Sequence, residues 1–238
     1  MHALHQVIHL FFDPHSFTLA MPDVWAGFQI NLKIMVIAEV LVLVFALVLA
    51  LVRGLRGPAA KPLRALAIAY TDFFRGTPII IVALFIGTGL PGLQLGFISS
   101  RSIVTYGVIT LTLVYTAYVT EVYRAGIESV HASQRAAARS LGLTYMQAMR
   151  YVVVPQAVRR VIPPLLNDFI GLQKDTALVS VIGVGEAALL AQGFANTNGT
   201  FVSYLVAAVL FILITIPLAR FTDHLVAQRE RRERAQAF

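Results

Sequence analysis

The sequence predicts an all-α integral membrane protein with five transmembrane helices, and three observations predict it. Of 238 residues, 58% are hydrophobic and only 13% charged, whereas a soluble globular domain carries about 25% charged residues. Several stretches reach the roughly 20 apolar residues that a helix needs to cross the hydrocarbon core. The nineteen Lys and Arg residues, which give a formal net charge of +7, lie mostly in clusters between those stretches. That placement reports topology, so no nucleic-acid partner is expected. The chain has no cysteine, which excludes disulfides, thiolate nucleophiles and cysteine metal sites.

Taken in order, Met1–Leu10 holds His2, His5 and His9 in place of the Lys or Arg of a secretory leader. The N-terminus is therefore expected to be retained as an interfacial amphipathic start. His5-Gln-Val-Ile-His9 lacks the glutamate of a zinc-protease motif, and no metal is assigned to it. The first span is expected at 29–52, where Lys33 near the start snorkels to the interface. Glu39 lies deeper, so it must face protein or be protonated. Arg53, Arg56, Lys61, Arg64 and Arg75 then mark a basic side. The second span is expected at 76–90, and the loop after it carries Arg101 as its only cation. A third span at 103–123 returns the chain to the basic side, in the loop 124–160. A fourth at 161–190 ends in the uncharged stretch Gln192–Thr200, and a fifth at 201–219 leads to an Arg-rich tail.

Sixteen of the nineteen Lys and Arg residues thus fall on one side, which the positive-inside rule makes cytoplasmic. The N-terminus is then outside and the C-terminus inside. An even number of spans, or an inverted orientation, would put the Arg-rich tail or the loop outside. No internal repeat of the kind common in secondary carriers is visible.

A chain that powered its own transport would need the phosphate-cradling loop G-x-x-x-x-G-K-[ST]. None of the three lysines, Lys33, Lys61 and Lys174, has that context, so any nucleotide must bind another chain. Gly183-Val-Gly185-Glu186 superficially matches the Gly-x-Gly-Asp motif of intramembrane aspartyl proteases, but no Tyr-Asp pair supplies a second acid. There is no Gly-x-Ser-x-Gly elbow either. No catalytic residue and no cofactor are assigned.

The loop carries more organisation than a linker requires. Ser133-Gln-Arg-Ala-Ala-Ala-Arg-Ser-Leu-Gly142 reads as a short helix with Ser133 as N-cap and Gly142 as its stop. A second short helix is expected to start at Thr144, with Gln147 closing a capping box and Pro155 ending the run. Two short helices in a basic loop point to a docking element.

At this loop the sequence resembles a family, the inner-membrane permeases of binding-protein-dependent ABC importers, in the polar amino-acid branch. Their loop motif is Glu-Ala-Ala, three residues, Gly, nine residues and Ile-x-Leu-Pro. Here Ala137, Ala138, Gly142, Val152, Val154 and Pro155 match at that spacing. Arg75-Gly76-Thr77-Pro78 is similar to the family's Arg-Gly-Thr-Pro element, and Glu121-Val-Tyr-Arg-Ala-Gly126 to its approach to the loop. Lys174-Asp175-Thr176-Ala-Leu-Val-Ser180 resembles its Lys-Asp-Thr-Ser-Leu-Val-Ser stretch. Ala136 departs from the pattern, because the family has Glu there. In the register set by Ser133 this breaks a capping box, at a cost of about 0.5–1 kcal/mol.

The resemblance implies a single transmembrane permease domain of the type I ABC importer fold over 1–238, in the bacterial inner membrane. It implies a non-catalytic subunit that moves polar amino acids and couples to partner ABC ATPase subunits. The coupling residues would be Ser133, Ala136, Ala137, Ala138, Arg139, Ser140, Leu141 and Gly142. An extracellular or periplasmic solute-binding protein, a second permease copy or relative, and membrane lipid complete the implied partners. Glutamine, glutamate, arginine and histidine all remain open as cargo.

Two readings fit Lys174 and Asp175, ionisable groups inside a span. They line the translocation path, with Thr176 and Ser180 offering neutral hydrogen bonds to a zwitterion, or they form a structural ion pair with Asp168 or Glu186. Two readings also fit Arg75, Gly76, Thr77 and Pro78: a gate, or an interfacial Arg before a helix-start proline. The rival function is an ion-gradient-driven secondary carrier or channel, against which the loop argues.

Overall fold

The computed structural model describes residues 7, 10–55, 57–94 and 102–236. The α-helices, in chain order, are α1 Pro14–Arg53, α2 Lys61–Gly76, α3 Ile79–Gly92, α4 Ile103–Glu128 and α5 Ala132–Ser140. They continue with α6 Tyr145–Ala148, α7 Val154–Asp175, α8 Ala187–Asn198 and α9 Val202–Gln236. His2, His5 and His9 lie outside the described residues, as do Arg56 and Arg101.

Several helices differ from the expected spans. α1 starts at Pro14 instead of residue 29 and has 40 residues, about 60 Å at 1.5 Å per residue. Asp13 sets that start: its Oδ2 accepts from the Ser16 amide at 2.8 Å, and a proline suits the first helical position. α3 has only 14 residues, about 21 Å against a hydrocarbon thickness near 30 Å. The expected fourth span is not one helix: a 3₁₀ segment Thr176–Ile182 follows α7, and the chain breaks before α8. α8, Ala187–Asn198, takes in most of the uncharged stretch Gln192–Thr200. α9 continues through the Arg-rich tail to Gln236. Among the described residues three helices alone are long and apolar enough to cross a membrane, rising to five if each of two bent helix pairs is one span.

The chain groups into two compact units. Unit 1 comprises Met1–Leu41, Thr77–Val114 and Ile170–Leu218. In its core, Ala20, Val24 and Phe28 of α1 pack with Ala187 and Ala191 of α8 and with Val202, Val206 and Leu210 of α9. The approach of α1 needs Gly27, since a Cβ there would lie 2.6 Å from the Ala187 nitrogen and the Glu186 carbonyl carbon. Four residues on, one helical turn along the same face, Asn31 pins the break in the chain. Its Nδ2 donates to Thr176 Oγ1 at 3.0 Å and Glu186 Oε2 at 2.9 Å, and its Oδ1 accepts from the Ala187 amide at 3.0 Å. Glu186 is the N-cap of α8, accepting the Ala188 amide at 2.9 Å and the Leu189 amide at 2.8 Å. A fully buried acid is tolerated because both oxygens have donors and face the positive end of a helix.

Unit 2 comprises Val42–Gly76, Tyr115–Phe169 and Ala219–Phe238. A small cluster of Val130, Val153 and Ala157, with Ile127 and Met149 against it, packs the base of the loop.

Asn31→Leu strips donors from Glu186 Oε2 and Thr176 and leaves the Ala187 amide without its acceptor. The expected cost is about 2–4 kcal/mol, read as a lower melting temperature in detergent, whereas Asn31→Asp retains the Oδ1 acceptor but sets a second acid against Glu186. An unchanged melting temperature in the Leu variant contradicts the role given to this network.

Candidate functional site

The loop between α4 and α7 is built almost entirely from local hydrogen bonds. α5 is capped by His131 rather than by Ser133: the imidazole Nδ1 accepts from the Ser133 amide at 3.3 Å and lies 2.7 Å from the Ser133 hydroxyl. Ser133 is therefore the second helical residue and Ala136 the fifth, so the capping box inferred as broken at Ala136 does not exist in this register. The sequence reading failed because hydroxyl and carboxamide side chains dominate N-caps, which left the imidazole unweighed.

The other end follows the expectation. Gly142 has φ +85, a left-handed conformation that glycine adopts without strain. Its amide bonds the Arg139 carbonyl at 3.0 Å, and the Leu143 amide bonds the Ala138 carbonyl at 3.3 Å, the Schellman pair that closes a helix. The Thr144–Gln147 capping box also forms, with bonds of 3.3 and 2.8 Å. Pro155 does not end the run. A π-helical turn at Met149–Val153 leads directly into α7, and Pro155 falls in the first turn of α7, where a missing amide matters least.

The loop presents an uneven surface. Ala138 is 4% exposed and points into the protein, while Ala136, Ala137, Arg139 and Ser140 are exposed. Leu141 is 83% exposed and Met146 71%, an apolar tip beside arginines on a segment rich in positive charge.

Behind the loop, unit 2 holds an ion cluster and a cleft. Glu121 of α4 receives the Arg53 guanidinium from the end of α1 and that of Arg124 one turn later, the latter at 2.8–2.9 Å. Arg53 also donates to Thr71 of α2 at 3.0 Å, so one acid joins three helices. Arg75 is held more loosely, with Nη1 4.0 Å from Glu121 Oε1 and its guanidinium carbon 6.0 Å from the Tyr118 ring centroid. The adjoining cleft has a volume of about 450 Å³ and is lined by Arg75, Tyr118, Glu121, Ser129, Arg160 and Asp168 among others. Residues 118, 121, 122, 125 and 126 form one face of α4, with Ser129 just past its end, and 160, 164 and 168 one face of α7.

The remaining predicted residues are not gathered into one polar surface. Lys174 is exposed and Asp175 half-buried. Thr176 is buried, giving its proton to the Gln173 carbonyl at 2.6 Å and accepting from Asn31. Half-buried Ser180 donates to the Ala177 carbonyl at 2.7 Å. Glu186, one partner weighed for Lys174, is bound by amide donors instead. Gly76 ends α2, Thr77 follows it, and Pro78 is the extended N-cap residue of α3. Sequence reasoning missed Asn31 and the hub role of Glu121. An amide inside an apolar span, and a carboxylate between two spans' arginines, were the signals for them.

Comparison with known proteins accords with this arrangement. Residues 58–231 match the family described as binding-protein-dependent transport system inner membrane component. Glutamate transport system permease protein GluC of Corynebacterium glutamicum is 37% identical over 207 residues, 83% of this chain and 90% of the relative. Arginine transport system permease protein ArtQ of Bacillus subtilis is 31% identical over 209 residues, 88% of this chain and 93% of the relative. A crystal structure of an amino acid ABC transporter with histidines matches at a TM-score of 0.81 and 32% identity, over 92% of this chain and 98% of that one. An inward-facing MetNI methionine ABC transporter, at a TM-score of 0.65 and 19% identity over 91% of this chain and 99% of that one, shares the fold. This chain belongs to the binding-protein-dependent transport system inner membrane components, the permease subunits of ABC importers.

Proposed function

We propose that this chain carries polar amino acids across the bacterial inner membrane, driven by ATP hydrolysis on a separate ATPase that grips the loop 124–160 through α5. The observation that carries the coupling is the loop itself: its helices satisfy their own termini, and it still exposes Leu141 and Met146. An exposed apolar tip on a rigid polar loop is the mark of a protein contact. The absence of any phosphate-cradling loop from this sequence supports a partner as the source of energy. Relatives named for glutamate, glutamine and arginine support polar amino acids as cargo.

In this reading Ser133 and Ala136 to Gly142 form the coupling element, with shape and apolar contact replacing the family's acid at 136. A solute-binding protein delivers cargo from outside, and a second permease subunit completes the pore. The N-terminus is outside, the cationic loop and tail are cytoplasmic, and the five-span topology over 1–238 stands as the working arrangement. Lys174 and Asp175 belong to the translocation path, with Ser180 nearby in sequence. Thr176 joins them by position, with its hydroxyl engaged by Asn31. Arg75, Gly76, Thr77 and Pro78 form a gate at the joint between α2 and α3.

In proteoliposomes, amino-acid uptake is expected only with ATPase and ATP on the face bearing the loop and tail, and the binding protein on the other. Gradient-driven uptake by the isolated chain overturns the proposal in favour of a secondary carrier. Leu141→Asp and Ala137→Arg are expected to insert normally but to lose ATPase association by about tenfold or more, as for a hot-spot contact. Retained co-purification refutes the docking assignment. Ala138 is a poor site for that test, because a large residue there disrupts the loop's own packing. Asp175→Asn is expected to lower uptake while leaving ATPase association intact; unchanged uptake kinetics remove Asp175 from the path.

A further inference from the structure

The proposed grip falls on α5, whose first turn is held by one imidazole. Nδ1 of His131 accepts from the Ser133 amide at 3.3 Å and lies 2.7 Å from the Ser133 hydroxyl. A hydroxyl or carboxamide cap accepts at any pH near neutral, but a ring nitrogen accepts only while it carries no proton. The cap therefore requires the neutral imidazole with its hydrogen on Nε2. Protonation changes two things at once: the Ser133 amide loses its acceptor, and a positive charge arrives at the positive end of a helix. The new N–H can donate to the Ser133 oxygen, which does nothing for the amide.

The charges around this corner offer an imidazolium no compensation. From Arg124 to Asn167 the sequence holds one acid, Glu128, and Arg124 takes it. α5 brings Arg135 and Arg139, and the π turn packed beside it brings Arg150. α7 adds Arg159 and Arg160, the latter bonded to the Ser129 carbonyl two residues before His131. The remaining titratable side chains of these elements are the phenols of Tyr145 and Tyr151. His131 is exposed, so it equilibrates with the surrounding solution. α5 has nine residues, fewer than the roughly 12–15 at which a helix begins to hold unaided. A first turn that frays carries the exposed Ala136 and Ala137 out of register.

From this geometry we infer that His131 is a positioning residue for α5 and makes the grip on the loop sensitive to protons. The direction follows from which form caps the helix. Neutral imidazole holds it, so the order of α5 is present at the alkaline end of the range in which imidazoles change charge, about pH 8 to pH 5, and is lost toward the acid end. ATP-driven uptake then slows as the solution on the loop's side acidifies. The inference rests on the docking of α5 to the ATPase proposed above and adds a control to it.

The test measures binding of the purified ATPase to the complete permease at about pH 7.5 and about pH 5.5, within the imidazole range, for wild type, His131→Asn and His131→Ala. Asparagine is among the best caps and does not titrate. The ATPase's own response to pH is common to all three, so the ratio of wild-type to His131→Asn affinity is the quantity read. It is expected to be near one at the higher pH and about three- to tenfold lower at the lower pH, the effect of losing one cap and its favourable dipole. His131→Ala is expected to bind more weakly than His131→Asn at both, with a ratio between them that pH does not change. Amide hydrogen exchange at 133–137 in the permease alone, corrected for intrinsic rates, should be faster in wild type than in His131→Asn at the lower pH only. An affinity ratio that does not move with pH overturns the inference and leaves the docking standing. Exchange that is equal in wild type and His131→Asn at both pH values overturns it as well. No binding of the ATPase to wild type at either pH refutes the docking assignment, and the inference with it.

Discussion

Hydrocarbon offers no hydrogen bonds, so a chain within it can leave the helical path only where its own side chains take over from the backbone. In this protein that replacement is made at Glu186. Between Thr176 and Ala187 the helix narrows to a 3₁₀ segment and breaks, and the first amides of α8 would be left without acceptors. Glu186 supplies both of its oxygens to them, and Asn31 in turn supplies donors to Glu186 and Thr176. Removing Asn31 exposes an acid in a buried place, while removing Glu186 exposes a helix end. Gly27 belongs to the same arrangement, since its missing side chain lets α1 come close enough for Asn31 to reach.

Unit 2 meets a different constraint. Its helix ends carry several cations, and like charges brought together repel. Glu121 resolves this by drawing Arg53 and Arg124 onto one carboxylate. The arginines thereby fasten α1, α2 and α4 to one another. Arg75 remains on the margin of this cluster, 4.0 Å from Glu121 and against the Tyr118 ring.

The sequence made the helical class, the apolar stretches and the loop's C-terminal stop at Gly142 legible, because each depends on residues within a few positions of one another. The Thr144–Gln147 box was legible for the same reason. The break before α8 was not: Thr176–Ile182 is apolar enough to pass as more of the same span, and hydropathy counts composition, not hydrogen bonds. The partners that hold the break come from Asn31, 145 residues before Thr176, a separation no local pattern reports. The cleft was half legible. Residues 160, 164 and 168 recur every fourth position and 118, 121, 122, 125 and 129 follow a helical face, yet their arginines read first as topology signals.

The geometry of the loop also limits how force can enter the protein. A flexible loop would absorb a partner's motion, whereas this one is closed at α5 by a Schellman pair, at α6 by a capping box and underneath by Val130, Val153 and Ala157. The π turn at Met149–Val153 passes without interruption into α7, and within two turns α7 presents Arg160. Displacing Leu141 and its neighbours must therefore move the wall of the cleft, or break hydrogen bonds that are individually worth about 1 kcal/mol but fail only together. Arg160 shares in both ends of that path, since its guanidinium holds the Ser129 carbonyl at the loop's entry while its helix face lines the cleft. The exposed tip of the loop and one wall of the cleft are thus joined by the same short length of α7.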